Sequence, residues 1–511
     1  MSTNVKLNQK QKLADKKFTQ FLSQSTEKYF YLFGYAGTGK TFLISKLIVE
    51  ALEENLIECA YVCAPTHVAL NVLESYFRSN FTSEEESLKK IQFMTIHRLL
   101  EFKSVISNET GAKVFKPTTK SKIMSDRTNK LIIIDECSMI PSAMVNAIDA
   151  YANTYGLKIV FLGDSAQLPP VPEPQSLVFA KVPENYAFHI VLDEIMRTKS
   201  ASIKTASKAV RSWGSKSMST GTSTQTLTNL VDSLVPIHRS KVTPRTFKLF
   251  HKKSDYKSAS WFAYVIDKIE SGSIPIILTW KNATANMYNQ IIREHIHGTT
   301  DDLANYKVND FMIFNNYYES VPIADILPTR FYTSNQIKIV GTRSAKKTLV
   351  DWSAYRVASA SNPVERARNT LLKKFESLGS AFVIDTLSVN KIREGEIRKK
   401  LYVINTISRT DLPAYTELIK NVRKHLEHFF LRHKSVKHSS ALWKMYHKIL
   451  LEPYAEINFS YSMTTHKAQG STFGISGIDF EDITQNPNVS EMWRALYTAM
   501  TRASVELFVV L

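Results

Sequence analysis

The chain has 511 residues, 44% hydrophobic and 11% aromatic, which is enough for several packed cores and excludes a disordered polymer. Its 65 Lys and Arg outnumber 47 Asp and Glu by a formal +18, a balance that favours a polyanionic partner, most simply nucleic acid. Three cysteines, Cys59, Cys63 and Cys137, have no zinc-ligand spacing and sit among apolar residues, so they read as reduced, buried thiols. The stretch "MSTNVKLNQKQKLADKK" lacks the apolar core of a signal peptide, and no run of about eighteen apolar residues suits a membrane. An intracellular, cytoplasmic protein is expected.

In chain order, the first chemical signal is "YLFGYAGTGKTFLISKL", residues 31 to 47. Gly34, Gly37, Thr38, Gly39, Lys40 and Thr41 meet the pattern G-x-x-x-x-G-K-[ST] between an apolar run and a helical pattern. Glycines let backbone N–H groups approach phosphates, Lys40 supplies charge to the β and γ phosphates, and Thr41 offers a hydroxyl to Mg²⁺. The runs "KYFYLF", "CAYVCAP", "KLIIIDE" and "LKIVFLGD" are nearly continuously apolar, as strands buried on both faces are. Amphipathic segments such as "HVALNVLESYF" alternate with them, predicting an α/β, doubly wound parallel sheet with its functional loops at the strands' carboxyl ends.

Between residues 101 and 130 the sequence turns polar and basic, with a turn signal at Asn108 to Gly111, and predicts an inserted β-hairpin. "LIIIDECS" then puts Asp135 and Glu136 at the end of a buried strand: Asp135 to hold Mg²⁺, Glu136 to orient or deprotonate the attacking water. After the next strand comes "FLGDSAQLPPV", where Gln167, on a loop stiffened by Pro169 and Pro170, is placed to touch the γ-phosphate or the attacking water and so sense the loss of the phosphate. Residues 199 to 230, rich in Ser, Thr and Lys, predict one helix followed by a loose surface loop. A second β/α pattern starts at "IPIILTWKNATANMYNQIIREHI" and resumes in "EINFSYSMTTHKAQGSTF" and "WRALYTAMTRASVELFVVL". The material between, β-rich and then strongly basic and helical, reads as an inserted subdomain in which Trp443 packs internally.

These segments, in this order, resemble the superfamily 1 helicases, and "APTH", "TIH", "HKAQG" and "LNQKQKLA" resemble the RecD-like 1B branch that includes the Dda-type phage enzymes. The resemblance implies two RecA-like domains with an SH3-like insertion: a first domain over 1–190 containing the 101–130 pin, a second over 191–299 and 455–511, and the insertion over 300–454. It implies DNA contacts at Thr66, His67, Thr95 and His97 in the first domain and Thr464, His466 and Lys467 in the second. Thr hydroxyls and His rings suit phosphate and sugar contacts that read no sequence; singly, each would pass as a helix cap or a packed ring. It further implies arginine fingers at Arg197, in "LDEIMRT", and Arg502, in "LYTAMTRA", nucleotide contacts by Gln11 to the adenine edge and by Gly470, and a strand-separating role for Phe115 on the hairpin.

The expected activity is therefore an ATP-dependent, Mg²⁺-requiring DNA helicase that moves 5′ to 3′ on single-stranded DNA and opens a DNA fork as a monomer. Single-strand-binding or replication proteins are the expected partners, in replication, recombination or repair. Two alternatives stay open: an RNA track, and a nucleic-acid-stimulated ATPase that displaces proteins or loads them.

Overall fold

Alternating burial explains the first sheet. In the computed structural model, strand β1 (Tyr29–Gly34) sends Phe30 and Leu32 into one core and Tyr31 and Phe33 into another. The same split recurs in β2 (Cys59–Ala64). A strand with apolar side chains on both faces is stable only between two helical layers, and the helices Gln9–Gln24 and Lys40–Glu53 cover one face while Ser142–Tyr155 covers the other. The structure describes residues 7–81, 85–107, 109–116, 129–196, 198, 200–220, 224–239, 246–298, 301–320, 328–393, 396–433 and 436–511.

Strand β3 (Ile91–Thr95) pairs with β2, after which the chain makes a hairpin of β4 (Lys103–Ile106) and β5 (Lys113–Lys116). It returns for β6 (Lys130–Ile134), β7 (Lys158–Gly163) and β8 (His189–Leu192). The all-parallel order β3-β2-β6-β7-β1-β8 puts β1, with its phosphate-loop pattern, between β7 and β8.

Next come two helices, Ala201–Thr220 and Thr224–Arg239. This corrects the expectation of one helix and a loose loop. The Ser/Thr-rich composition masked helical stripes: Ile203, Ala206 and Val210 are buried in the first helix, and Leu230 and Leu234 in the second. Gly214 is fitted to a close neighbour, because a Cβ there would lie 3.3 Å from Cβ of Trp493.

Strands β9 (Phe247–Phe250) and β10 (Pro275–Thr279) begin a second parallel sheet, which the chain leaves before completing. The excursion contains β11 (Phe311–Phe314), a short pair β12 (Tyr318–Glu319) and β13 (Arg330–Phe331), the long β14 (Gln336–Thr348), β15 (Ala381–Arg393) and β16 (Glu396–Ile407), and β17 (Ile457–Phe459). Apart from the short pair, these make an antiparallel sheet ordered β16-β15-β14-β11-β17. The chain then closes the parallel sheet with β18 (Ser462–Thr464), β19 (Phe473–Asp479) and β20 (Ala503–Val510), in the order β18-β10-β19-β20-β9. The protein is thus an α/β chain with two RecA-like parallel sheets.

The chain divides into two units: 1–102 with 117–288 and 462–511, and 103–116 with 289–461. Both parallel sheets lie in the first. The second unit packs the helices Pro363–Glu376 and Leu412–Arg432, and a π-helical turn Tyr446–Leu451, against one face of its sheet around Trp352, Phe375, Leu426 and Trp443. Trp443 is fully buried, with its ring centroid 5.6 Å from those of Phe430 and Tyr446.

The β4–β5 hairpin belongs to this second unit. Gly111, at φ +64°, leaves space that the Trp443 ring occupies, since a Cβ there would come within 2.2 Å of it. His447 Nε2 donates to the Gly111 carbonyl at 2.8 Å, and Lys113 pairs with Glu452 at 3.0 Å. Phe115 pairs with Ser104 in the hairpin register; its side chain, and residues 117–128 of the predicted pin, lie outside the described residues.

A buried ion pair anchors the second unit. Arg293 grips Asp310 with two hydrogen bonds of 2.9 Å and donates to the carbonyls of Leu303 and Asn305 at 2.7 and 2.8 Å. His297 and the backbone N–H of Lys307 also bond Asp310. Burial alone would raise the Asp310 carboxyl, but the His297 and Arg293 hydrogen bonds hold it below the usual range. Asp310→Ala is expected to cost about 3–5 kcal/mol, because it strands the Arg293 guanidinium. In the parent protein this stabilisation is complete above the unfolded carboxyl value of about 3.9 and is lost as pH falls through the lower folded value. Denaturant titrations of parent and variant at neutral pH and over a series falling below the unfolded carboxyl value check both the cost and its progressive loss in acid.

Candidate nucleotide cleft and nucleic-acid track

The phosphate loop follows β1 and opens the helix Lys40–Glu53. Gly37 and Gly39 adopt φ of +76° and +78°, the left-handed region that glycine enters at no steric cost, and a Cβ on Gly34 would strike the Leu192 carbonyl at 2.4 Å. The helix presents its amino-terminal N–H groups, and with them a partial positive charge, to whatever the loop encloses. Lys40 Nζ donates to the carbonyls of Gly34 and Tyr35 at 2.9 and 3.0 Å, so its ammonium lies over the loop. Gln11 is 4% exposed and caps its own helix with Asn8; its Nε2 is 3.5 Å from the Thr38 carbonyl. The amino-terminal helix is thereby fixed beside the phosphate loop.

Asp135 ends the buried run of β6, with its Oδ2 3.4 Å from Thr41 Oγ1. Burial, then the neighbouring Glu136 charge, pushes its carboxyl up to about 6, against smaller opposing effects that include Lys40. Glu136 follows in a left-handed conformation, φ +52°, unusual for a residue with a Cβ and the kind of strain that collects at functional sites. Among the described residues no group of three or more His, Cys, Asp or Glu could hold a metal alone.

The loop after β7 joins the two parallel sheets. Gln167, 3% exposed, accepts through Oε1 from Arg502 Nη2 at 3.0 Å. Arg502 is itself 2% exposed, and its remaining donors reach the carbonyls of Thr498 and Ser471, each at 3.1 Å. The Leu168 N–H donates to Thr498 Oγ1 at 3.2 Å, and the Leu168 carbonyl accepts from Gln469 at 3.0 Å. Arg494 donates to the carbonyls of Ser165 and Gln167. Three residues of one sheet's loop, Ser165, Gln167 and Leu168, are therefore held by the helix Val489–Met500, Arg502 and the loop after β18.

The second set of candidates gathers at the carboxyl ends of the edge strands β3 and β18 and of β2, the strand beside β3. Thr66 and His67 follow β2, Thr95 and His97 lie at the end of β3, and Thr464, His466 and Lys467 lie at the end of β18. Register pairs Ala64 with Thr95, bringing the first two groups to one end of one sheet. Thr66 Oγ1 accepts from the Ala69 N–H and Thr95 Oγ1 from the Arg98 N–H, so both hydroxyls cap helices. Burial lowers the pKa of His97 and of His466, favouring the uncharged ring; Glu491, 3.6 Å from His466, partly opposes this. Gly470, expected at the nucleotide, has φ +78°, and a Cβ there would lie 3.6 Å from Ala69 Cβ; it packs against the helix that Thr66 caps. Arg197 lies outside the described residues.

Sequence reasoning missed part of this arrangement. Asp164, Gln469, Tyr497 and Thr498 stand inside quoted motifs, where the spacing gave them no distinct role. Arg494, four residues before Thr498 on the same helix, carried no motif signal. Arg211 lay in the Ser- and Lys-rich stretch, where nothing marked it.

Two family models match: an AAA domain over residues 6–237 and a UvrD-like helicase C-terminal domain over residues 459–510. Protein R530 of Acanthamoeba polyphaga mimivirus, described as uncharacterized, is 43% identical over 98% of this chain and 99% of its own length. The RecD subunit of the RecBCD enzyme from Buchnera aphidicola is 32% identical over 28% of this chain and 23% of that protein. The chain belongs to the superfamily 1B helicases, in the Pif1/RecD-like group. It shares a family with R530 over essentially its whole length. The helicase also matches the ATP-dependent DNA helicase PIF5 of Trypanosoma brucei brucei, 28% identical over 30% of this chain and 15% of that protein. Among solved structures, the Pif1 helicase of Candida albicans aligns over 99% of this chain and 95% of that one, at 14% identity and a TM-score of 0.44. By its AAA-domain and UvrD-like helicase matches and its family, the chain is an ATP-hydrolysing DNA helicase with a nucleotide-binding first domain. Among its described residues, no helix is long and apolar enough to cross a membrane.

Proposed function

We propose that the helicase moves 5′ to 3′ along single-stranded DNA and opens duplex at a fork, each step driven by one ATP bound with Mg²⁺ between its two parallel sheets. The observation that carries this reading is the 3.0 Å contact between Gln167 and Arg502, which converges two γ-phosphate candidates from opposite sheets. Thr41 and Asp135 fit the cation: two oxygens 3.4 Å apart, one on a buried carboxyl raised by desolvation and by Glu136. A divalent cation there would relieve that crowding and neutralise phosphate charge.

Lys40 and the loop N–H groups hold the β and γ phosphates, Glu136 orients and deprotonates the attacking water, and Arg502 meets the charge that develops on the γ-phosphoryl oxygens. Arg197 supplies a second guanidinium by resemblance. A triphosphate gripped from both sheets closes the cleft, and its hydrolysis releases the grip. Thr66, His67, Thr95 and His97 on one sheet and Thr464, His466 and Lys467 on the other hold the strand by its backbone, so that alternating grip becomes travel. Gln11 reads the adenine edge, and Phe115 on the hairpin parts the duplex.

Unwinding assays on tailed duplexes, with DNA and RNA tracks at both polarities, test the reading. Activity on a 5′ DNA tail supports it, and activity confined to a 3′ tail or to RNA overturns it. Backbone-dominated binding also fixes the salt response. The affinity for an oligonucleotide is expected to fall with a log–log slope of about 0.7 per neutralised phosphate. A fluorescence-anisotropy series over a tenfold salt range measures it, and a flat response contradicts a backbone grip.

A further inference from the structure

Arg211 stands in the helix Ala201–Thr220, outside every segment that carried the family resemblance. Its guanidinium lies 3.8 Å from the ring centroid of Tyr35, the residue that follows Gly34 in the phosphate loop. It also pairs with Asp164 at 2.6 Å and lies 5.1 Å from the Tyr497 ring. Tyr497 completes the figure: its hydroxyl donates to Asp164 Oδ2 at 2.8 Å and accepts from the Ala36 N–H at 3.1 Å. Asp164 Oδ1 takes both Arg211 and the Ala166 N–H, and Asp164 is 1% exposed. One planar cation therefore touches the phosphate loop through Tyr35 and the sensing loop through Asp164, and it is close to the Tyr497 ring on the helix that leads to Arg502.

From this we infer that Arg211 is a positioning residue for hydrolysis: it locks Tyr35 and Ala36 of the phosphate loop to Asp164 and Tyr497, and so fixes the distance across which Arg502 and Gln167 meet the γ-phosphate. It touches no substrate atom. Its side chain is 16% exposed, and burial disfavours its charge, but Asp164 and Tyr497 together more than compensate. A guanidinium suits the task because it stacks on a ring face and forks to a carboxylate at once, which an ammonium cannot do. The stack further gives the variable position after Gly34 a physical use, since Tyr35 offers a ring where the phosphate-loop pattern leaves the residue free.

The inference rests on the hydrolytic motor reading, and the test separates the two. Single-stranded-DNA-stimulated ATPase is measured for the parent, Arg211→Met, Arg211→Lys, Tyr35→Leu and the double variant Tyr35→Leu/Arg211→Met. A misplacement of about an ångström at the reacting centre is worth ~10²-fold in rate. Arg211→Met is expected to lose kcat on the order of that ~10²-fold, with KM for ATP within about twofold of the parent. Arg211→Lys restores the Asp164 pair without the stack and recovers part of the loss. The double variant is expected to be no slower than Arg211→Met, because both changes break one linkage. If Arg211→Met does not fold, Arg211→Lys and Tyr35→Leu carry the kcat and KM comparison, each expected below the parent in kcat alone. A kcat near that of the parent, a loss shared equally by KM, or multiplying losses in the double variant overturns the positioning role. A parent without stimulated ATPase overturns the motor reading instead.

Discussion

Arg502→Ala is expected to lower single-stranded-DNA-stimulated ATPase by about 10³ to 10⁵-fold, the range found when an arginine is withdrawn from the developing charge of a transferring phosphoryl group. Arg502 is buried, and its donors span Gln167, Ser471 and Thr498, so its position is over-determined. That fixity is what electrostatic stabilisation of a transition state requires, because a donor that needs no reorganisation acts at full strength. The same burial means that alanine leaves a cavity and takes the Arg502 donors from Gln167 Oε1 and the Ser471 carbonyl, so some stability is lost as well. Arg502→Lys separates the two effects. Lysine keeps a charge and most of the volume, but its single ammonium cannot serve three acceptors spread over a guanidinium fork. The lysine variant is expected to unfold near the parent's temperature while remaining nearly as inactive as alanine. Steady-state ATPase at saturating oligonucleotide, beside thermal melts of both variants, checks this. An active lysine variant would assign Arg502 a packing role only.

Lys40→Ala should bring hydrolysis down by at least about 10²-fold, the scale of losing one preorganised donor at a charged transition state. Lys40 is the only side-chain cation that the phosphate-loop pattern places in the loop, and it already lies over the Gly34 and Tyr35 carbonyls. Its removal takes away no core contact, since the side chain is partly exposed, so the melting temperature should hold. Oligonucleotide affinity without nucleotide should also hold, because Thr66, Thr95 and Thr464 end different strands from the one that Lys40 follows. The sharp outcome is a variant that binds DNA like the parent and neither hydrolyses ATP nor unwinds. Retained unwinding would remove the phosphate loop from the motor.

How far the sequence could be read depended on the range of the physics involved. The first sheet was legible because two-sided burial writes itself as unbroken apolar runs, as in "KLIIID", and because the glycine spacing of the phosphate loop is a local backbone requirement. The helices Ala201–Thr220 and Thr224–Arg239 were misjudged where polar composition outweighed a sparse stripe of Ile203, Ala206, Val210, Leu230 and Leu234. The end of the first sheet was also placed slightly early: β8, Leu192 included, pairs with β1 and still belongs to it. Motif resemblance pointed to Gln167 and Arg502 individually, but not to their hydrogen bond. Contacts such as Arg211 with Tyr35, or Gly111 with Trp443, join residues well over a hundred positions apart and leave no mark on either neighbourhood.

The order in which the strands occur along the chain has a consequence for the protein's synthesis. Every strand of the first sheet lies between residues 29 and 192, so that sheet can form on an emerging chain. Strand β10 cannot follow suit: both of its neighbours, β18 and β19, lie beyond residue 461. Until they are made, "PIILT" has two naked edges and an apolar run of four residues, the features that invite pairing with another chain. A ribosome stalled between residues 300 and 450 would thus hold a finished phosphate loop, no Arg502, and an open apolar strand. Such a fragment would be a target for chaperones and proteases, and Arg502, the proposed arginine finger, arrives in the same stretch of chain that covers the exposed strand.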